Sequence, residues 1–139
     1  MFDREEFERW LKQAEKTLES AERDKNNEDY NWCCFKAQQA AEYAVKGLLY
    51  GFGIMAYGHS VVNLLGRLKE KMKIPAEILR MARLLDRHYI PPRYPNAHPE
   101  GSPFEYYDAE TADEALEIKK DNRFRQLPHP KGRSLLSEG

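Results

Sequence analysis

Apolar residues recur at helical spacing in five stretches of the chain, and no stretch alternates apolar and polar positions as a half-buried strand would. Glycine and proline residues separate the later stretches, as is usual where helices end and begin. The pattern predicts helices over about residues 3–24, 28–50, 60–72, 75–88 and 110–120. It therefore indicates an all-α protein.

The second predicted helix is apolar around much of its circumference, which favours a central position in a bundle or contact with a partner chain. Two sets of polar residues interrupt this surface. Polar groups on such a helix need partners, and a ligand, a second copy of the chain or solvent could each supply them. The two sets are Lys36, Gln39, Tyr43 and Lys46, and the adjacent pair Gln38 and Glu42.

Residues 90–108 break the helical pattern, because this segment holds five prolines. A loop of this length in a small domain is usually functional or disordered, and its aromatic side chains favour order by packing on the helices. Those aromatics are Tyr94, Phe104, Tyr106 and Tyr107. We expect residues 1–121 to form one helical domain and residues 122–139 to form a loose tail.

The 139 residues carry a formal net charge of −1, so contact with nucleic acid would need a local basic patch. The cysteines Cys33 and Cys34 are adjacent and indicate a reducing compartment. Signal-peptide and membrane-spanning patterns are missing, so a cytoplasmic location is expected. The four histidines lack metal-ligand spacing, and glycine-rich phosphate loops are missing, so no metal or cofactor is predicted.

A basic stripe marks the fourth predicted helix, where Arg80, Arg83 and Arg87 share one face. Guanidinium groups in such a row can hold phosphate through paired hydrogen bonds. The alternative is a solvated face with salt bridges to neighbouring helices. The segment that follows adds His88, Arg93 and His98.

Four blocks of the sequence together resemble the small prokaryotic HEPN proteins, over about residues 7–118. They are KAQQAAEYAVKGLL at 36–49, GHSVVNLL at 58–65, LLDRHYIPPRYPNA at 84–97 and FEYYDAETADEAL at 104–116. The resemblance implies an up-and-down bundle of four or five helices with the long proline-rich loop before the last helix. It also implies a homodimer, and a minimal nucleotidyltransferase as partner in a toxin–antitoxin-like pair.

Many proteins of that family are metal-independent ribonucleases, and their signature is an arginine, four to six residues and a histidine. Arg83 with His88 and Arg93 with His98 both have this spacing, and they are the candidate catalytic residues. The chain departs from the signature at Leu84, where a polar residue is usual. Five helical positions turn through about 500°, so Arg83 and His88 would point roughly 140° apart on one helix.

Three functions follow as hypotheses. The first is a module that binds a nucleotide or RNA and partners a nucleotidyltransferase; the second is a ribonuclease toxin; the third is a structural helical adaptor. We favour the first, because the arginine–histidine pairing is imperfect. The predicted phosphate-binding residues are Arg80, Arg83, Arg87, Arg93, Lys36, Lys46 and Tyr94.

Overall fold

The computed structural model describes residues 1–120, with side chains described as far as residue 118. Across this part of the chain the structure contains helices and turns but no β-strand, so the prediction of an all-α bundle is confirmed. The predicted tail at residues 122–139 lies outside the described residues. The helices are α1 Arg4–Asn26, α2 Tyr30–Gly51, α3 Val61–Leu68, α4 Ala76–Asp86, α5 Ala109–Ala115 and the single turn α6 Glu117–Lys120.

Helices α1 and α2 form a long antiparallel hairpin. The side chain of Asp3 caps α1 by accepting a hydrogen bond from the backbone N–H of Glu6, and the Asp3 N–H donates to the Gly51 carbonyl at the end of α2. The helices approach closely at Gly47, where an added Cβ would lie 2.8 Å from the Cβ of Trp10. The absence of a side chain at this position therefore sets the distance between α1 and α2.

Helix α2 lies at the centre of the bundle, as its apolar circumference predicted, and it packs against α1, α3, α4 and α5. Most of its residues are buried, including both cysteines. This central position lets polar side chains of α2 meet groups from the loop before α3 and from the end of α4.

Helix α3 is shorter than predicted, because it ends at Leu68 and residues 69–71 form a turn. These three residues are all exposed, so no burial stabilises a further helical turn. Its start agrees with the prediction, since the Ser60 hydroxyl accepts a hydrogen bond from the Asn63 N–H. Helix α4 begins directly after Pro75 and buries one face against α2 and α3.

The proline-rich segment is ordered and contains two 3-10 turns, Pro95–Ala97 and Pro103–Tyr106. The side-chain amide of Asn31 donates to the Pro92 carbonyl at 3.0 Å, which ties the start of the segment to α2. The ring of Tyr107 packs on His88, as the expected anchoring role requires, whereas Phe104 is 68% exposed. Across residues 1–120, none of the helices combines the length and the apolar character that crossing a bilayer requires.

Candidate nucleic-acid interface

An open surface cleft of about 440 Å³ lies where the start of α3 meets the end of α4. The loop before α3 forms one side, and the exit of α4 forms the other. The residues that line it are His59, Ser60, Asp86, Arg87, Tyr89, Ile90 and Pro91. The cleft therefore contains one of the predicted arginines together with aromatic and imidazole rings.

The carboxylate of Asp86 closes the inner end of this cleft. One of its oxygens accepts from the Val61 N–H at 2.9 Å and from the Gln38 amide at 3.2 Å. The other accepts from the Ser60 hydroxyl at 2.9 Å and from the Val62 N–H at 3.1 Å. Because the first N–H groups of α3 already bind a carboxylate of the same chain, this helix end has no vacancy for a phosphate.

Buried polar side chains of α2 reach the cleft from below. The carboxylate of Glu42 is almost fully buried, lying 3.0 Å from the ammonium of Lys46 and 3.2 Å from Nδ1 of His59. The side-chain amide of Gln38 donates to the His59 carbonyl at 2.8 Å, and that of Gln39 donates to Glu42 at 3.0 Å. Gln38, Gln39, Glu42 and Lys46 thus find their partners within the same chain. The sequence had suggested a ligand, a second copy of the chain or solvent as their partners.

Aromatic rings surround the guanidinium group of Arg93 beside the cleft. Its central carbon lies 4.3 Å, 4.6 Å and 5.0 Å from the ring centroids of Phe35, Tyr89 and Tyr94, distances typical of cation–π contacts. The Arg93 Nε–H also donates to the Tyr89 carbonyl at 2.8 Å. The imidazole of His59 stacks on Tyr89, with centroids 4.8 Å apart and planes 16° apart.

The arginines of α4 do not all face the same cleft. All three are exposed, and Arg87 lines the cleft between the start of α3 and the end of α4. Arg80 lines a separate cleft of about 170 Å³ that also contains Glu114 and Glu117. Neither Arg80, Arg83 nor Arg87 has a carboxylate of the described residues within 4.0 Å, so the alternative of a salt-bridged face finds no support in this part of the chain.

Comparison with known proteins identifies the family. The sequence model of the HEPN domain matches residues 7–121, which is most of the chain. The chain belongs to the HEPN domain family. Its predicted resemblance to HEPN proteins is thereby confirmed.

Solved structures of HEPN proteins share this fold. TT1696 from Thermus thermophilus is 43% identical, with a TM-score of 0.79 over 83% of this chain and 91% of that one. The archaeal HEPN homologue ST0689 is 44% identical, with a TM-score of 0.70 over 84% and 91%. The HEPN domain protein TM0613 from Thermotoga maritima is 34% identical, with a TM-score of 0.65 over 83% and 91%. No protein with a curated description matches the chain.

In this HEPN domain the first signature pair is divided between surface and interior. Arg83 is exposed, whereas His88 is buried with its ring 5.7 Å from that of Tyr107. Burial, and next the charge of Arg87, lower the pKa of His88 to about 4. Within the described residues Nδ1 of His88 has no hydrogen-bond partner. His88 is therefore a neutral core residue at pH 7. A catalytic role for His88, based on the signature spacing, stays a prediction.

The second signature pair is held by local contacts. His98 places Nε2 2.8 Å from the Pro91 carbonyl and stacks on Tyr106, with ring centroids 4.1 Å apart. Arg93 is fixed by the aromatic rings around it, as described above. His98 is therefore held within the proline-rich segment, whereas Arg93 is held by Phe35 of α2 and by Tyr89 as well as by Tyr94.

The two predicted lysines are paired with carboxylates. Lys36 binds Asp24 at 2.8 Å and Ser20 at 2.9 Å in the groove between α1 and α2, away from the α4 exit. Lys46 belongs to the Glu42 network. Tyr94 is 45% exposed and lies beside Arg93, so it remains accessible to a ligand.

Asp86 and His59 were not among the predicted site residues. Asp86 could have been found from the sequence, because a carboxylate at the last position of a helix is unfavourable against that helix's dipole unless it binds another group. The sequence gives weaker evidence for His59, which lies directly before the Ser60 cap. The stacking of His59 on Tyr89 joins residues 30 positions apart and depends on the fold.

Proposed function

We propose that this HEPN domain is a binding module for a nucleotide or RNA, and that phosphates bind to the arginine surface. The arginine surface comprises Arg80, Arg83, Arg87 and Arg93. One observation carries the proposal: none of these guanidinium groups has a carboxylate within 4.0 Å in the described part of the chain. Arginine without a carboxylate keeps its hydrogen-bond donors available for phosphate oxygens.

Several basic residues of α1 and α2 provide a contrast that supports this assignment, since Arg4, Arg9 and Lys36 are paired with carboxylates. The chain is slightly acidic overall, with a formal net charge of −1. The arginine surface adds local positive charge, which Glu114 and Glu117 partly offset beside Arg80. Phosphate binding there would release counterions and depend strongly on salt.

Fluorescence anisotropy with a labelled single-stranded RNA tests the proposal. The variant Arg80→Gln/Arg83→Gln/Arg87→Gln is expected to bind at least tenfold more weakly, and its dependence of log Kd on log salt is expected to be shallower by about 0.7 for each lost contact. The matched control replaces the exposed Lys69, Lys71 and Lys73 by glutamine, which removes the same charge elsewhere. Equal weakening in both triple variants would show a general charge effect and contradict the assignment.

We further propose that the domain forms a homodimer and partners a minimal nucleotidyltransferase. Membership of the HEPN family and the four sequence blocks support this part. Sedimentation equilibrium tests the dimer. Co-purification with a nucleotidyltransferase encoded beside this chain tests the partnership, and a monomer that retains no such protein would contradict both.

The ribonuclease alternative makes a different prediction for the same RNA. A metal-independent ribonuclease would cleave RNA in EDTA, and cleavage would vanish in His88→Ala or His98→Ala. Burial keeps His88 away from RNA, and the His98 ring is already held by the Pro91 carbonyl and by Tyr106, so we expect binding without cleavage. The adaptor alternative predicts that the arginine triple variant changes solubility alone.

A further inference from the structure

Four aromatic side chains form a continuous row beside the arginine surface. We call Trp32, Phe35, Tyr89 and His59 the aromatic row. Successive ring centroids lie 6.2 Å, 6.1 Å and 4.8 Å apart along it. Trp32 and Phe35 share one face of α2, whereas Tyr89 follows α4 and His59 precedes α3, so the tertiary fold assembles the row.

The two end members of the row are accessible. Trp32 is 43% exposed, and the side chain of His59 is 58% exposed. The inner members Phe35 and Tyr89 are half-buried and both contact the Arg93 guanidinium. The row therefore has two accessible rings at its ends and a fixed positive charge near its middle.

We propose that the aromatic row is a stacking platform for the bases of single-stranded RNA, an inference that rests on the proposed function and narrows its ligand. Bases stack on Trp32 and His59, while the backbone phosphates bind Arg87 and Arg93. A positively charged path with aromatic rings beside it is the usual design of sequence-tolerant single-strand binding. Arg87 lines the same cleft as His59 and Tyr89, so a strand that stacks on the row reaches it at the His59 end.

The chemistry of the row favours a nucleic acid over a protein as its occupant. Cationic side chains contact the rings or line the same cleft, and the exposed aliphatic contribution there is Ile90. The nearby carboxylate of Asp86 directs both of its oxygens to donors of its own chain, and the Arg87 guanidinium in the same cleft offsets its negative charge. Trp, Tyr and Arg are also common in protein interfaces, so the distinction rests on charge: Arg87 and Arg93 beside the rings match the phosphates of a strand.

Single strands are favoured over duplexes because only they offer free base faces. In an RNA helix the faces are occupied by stacking within the strand, and proteins read its shape and backbone. A strand of about eight nucleotides falls within the range that one small single-strand-binding domain covers. The probes are therefore an eight-nucleotide RNA, its duplex, and an abasic strand with the same number of phosphates.

The first experiment compares the three probes on the wild type, Trp32→Ala and Trp32→Phe. The wild type is expected to bind the single strand about tenfold or more tightly than the abasic strand, the effect of one base–aromatic stack. Trp32→Ala is expected to lose most of that preference, with the remainder due to His59, and Trp32→Phe is expected to retain most of it. Phe104→Ala is the matched control, because it removes an exposed ring outside the row and should change nothing.

The second experiment follows Trp32 directly. The chain has two tryptophans, so Trp10→Phe leaves Trp32 as the only tryptophan fluorophore. Its emission is expected to be quenched by the single strand and to be unchanged by the abasic strand. A blue shift that depends on protein concentration without RNA would show that a second copy covers the row, and would overturn the platform.

The remaining outcomes separate the two proposals. If all three probes bind equally and only the arginine triple variant weakens them, phosphate binding on the arginine surface stands and the platform is wrong. If none of the probes binds, RNA binding is wrong and the platform with it, and the proposed function is then reduced to nucleotide binding. A preference for the single strand that is unchanged in Trp32→Ala would likewise overturn the platform.

Discussion

His88 lies inside the bundle against Tyr107, and its burial predicts that the protein loses stability in mild acid. The pKa of His88 is lowered to about 4, chiefly by burial, whereas a histidine in the unfolded chain titrates near 6.5. Between these values the unfolded chain binds a proton that the folded chain does not. The free energy of unfolding therefore falls as the pH drops from 6.5 towards 4, and His88 has no such effect above pH 7.

The size of this effect follows from the gap between the two pKa values. One pKa unit corresponds to about 1.4 kcal/mol, so the difference between 6.5 and about 4 amounts to about 3–4 kcal/mol once both states are protonated. At pH 4.5 most of this, about 2–3 kcal/mol, is already lost. That is a large fraction of the stability of a typical domain.

The assay is urea unfolding followed by circular dichroism at pH 7.5 and pH 4.5, on the wild type and on His88→Phe. Phenylalanine keeps a ring against Tyr107 and cannot titrate, while the carboxylates titrate in both proteins. The wild type is expected to lose about 2.5 kcal/mol more than the variant between the two pH values. Equal losses would mean that the imidazole is hydrated or charged in the folded state, and would refute the reasoning.

Three further predictions concern the core and the α3 cap. Asp86→Ala leaves four donors without their acceptor and should lower the free energy of unfolding by about 2–4 kcal/mol in urea, whereas a loss below about 1 kcal/mol would contradict its role as a shared cap. Gly47→Val should destabilise by about 1–3 kcal/mol in the same assay, because its Cβ would meet Trp10; unchanged stability would show that α1 moves away freely. Burial raises the pKa of Cys33 and Cys34 to about 12, so a thiol reagent should modify them only in denaturant; rapid labelling of the native protein would contradict this.

Much of the fold could be predicted from the sequence, because helical periodicity and helix caps are local. Helices were predicted to begin at about residues 3 and 60, and the side chains of Asp3 and Ser60 cap α1 and α3 there. The length of α3 was not predictable in this way. Its periodicity continues to Met72, but a further turn would have left residues 69–71 in solvent without burial to stabilise it.

The candidate site was only partly predictable. The arginine stripe is visible in the sequence at helical spacing, and Arg87 lies in the cleft between the start of α3 and the end of α4. The sequence could not show that Arg80 lies in a different cleft together with Glu114 and Glu117, since those residues come from α5 and α6. Likewise, a histidine that follows an arginine at the signature spacing gives no sign of whether it faces solvent or the core.

The sequence by itself determined the helical class, the apolar circumference of α2, the proline-rich segment and the clustering of arginines along α4. These depend on neighbours within one or two turns of helix, and such contacts are encoded by spacing. Only the tertiary structure decided that Asp86 caps a different helix, that His88 is neutral, and that His59 and Trp32 lie at the two ends of one row of rings. Those properties arise where distant segments meet, and burial and pairing there depend on the complete packing of the bundle.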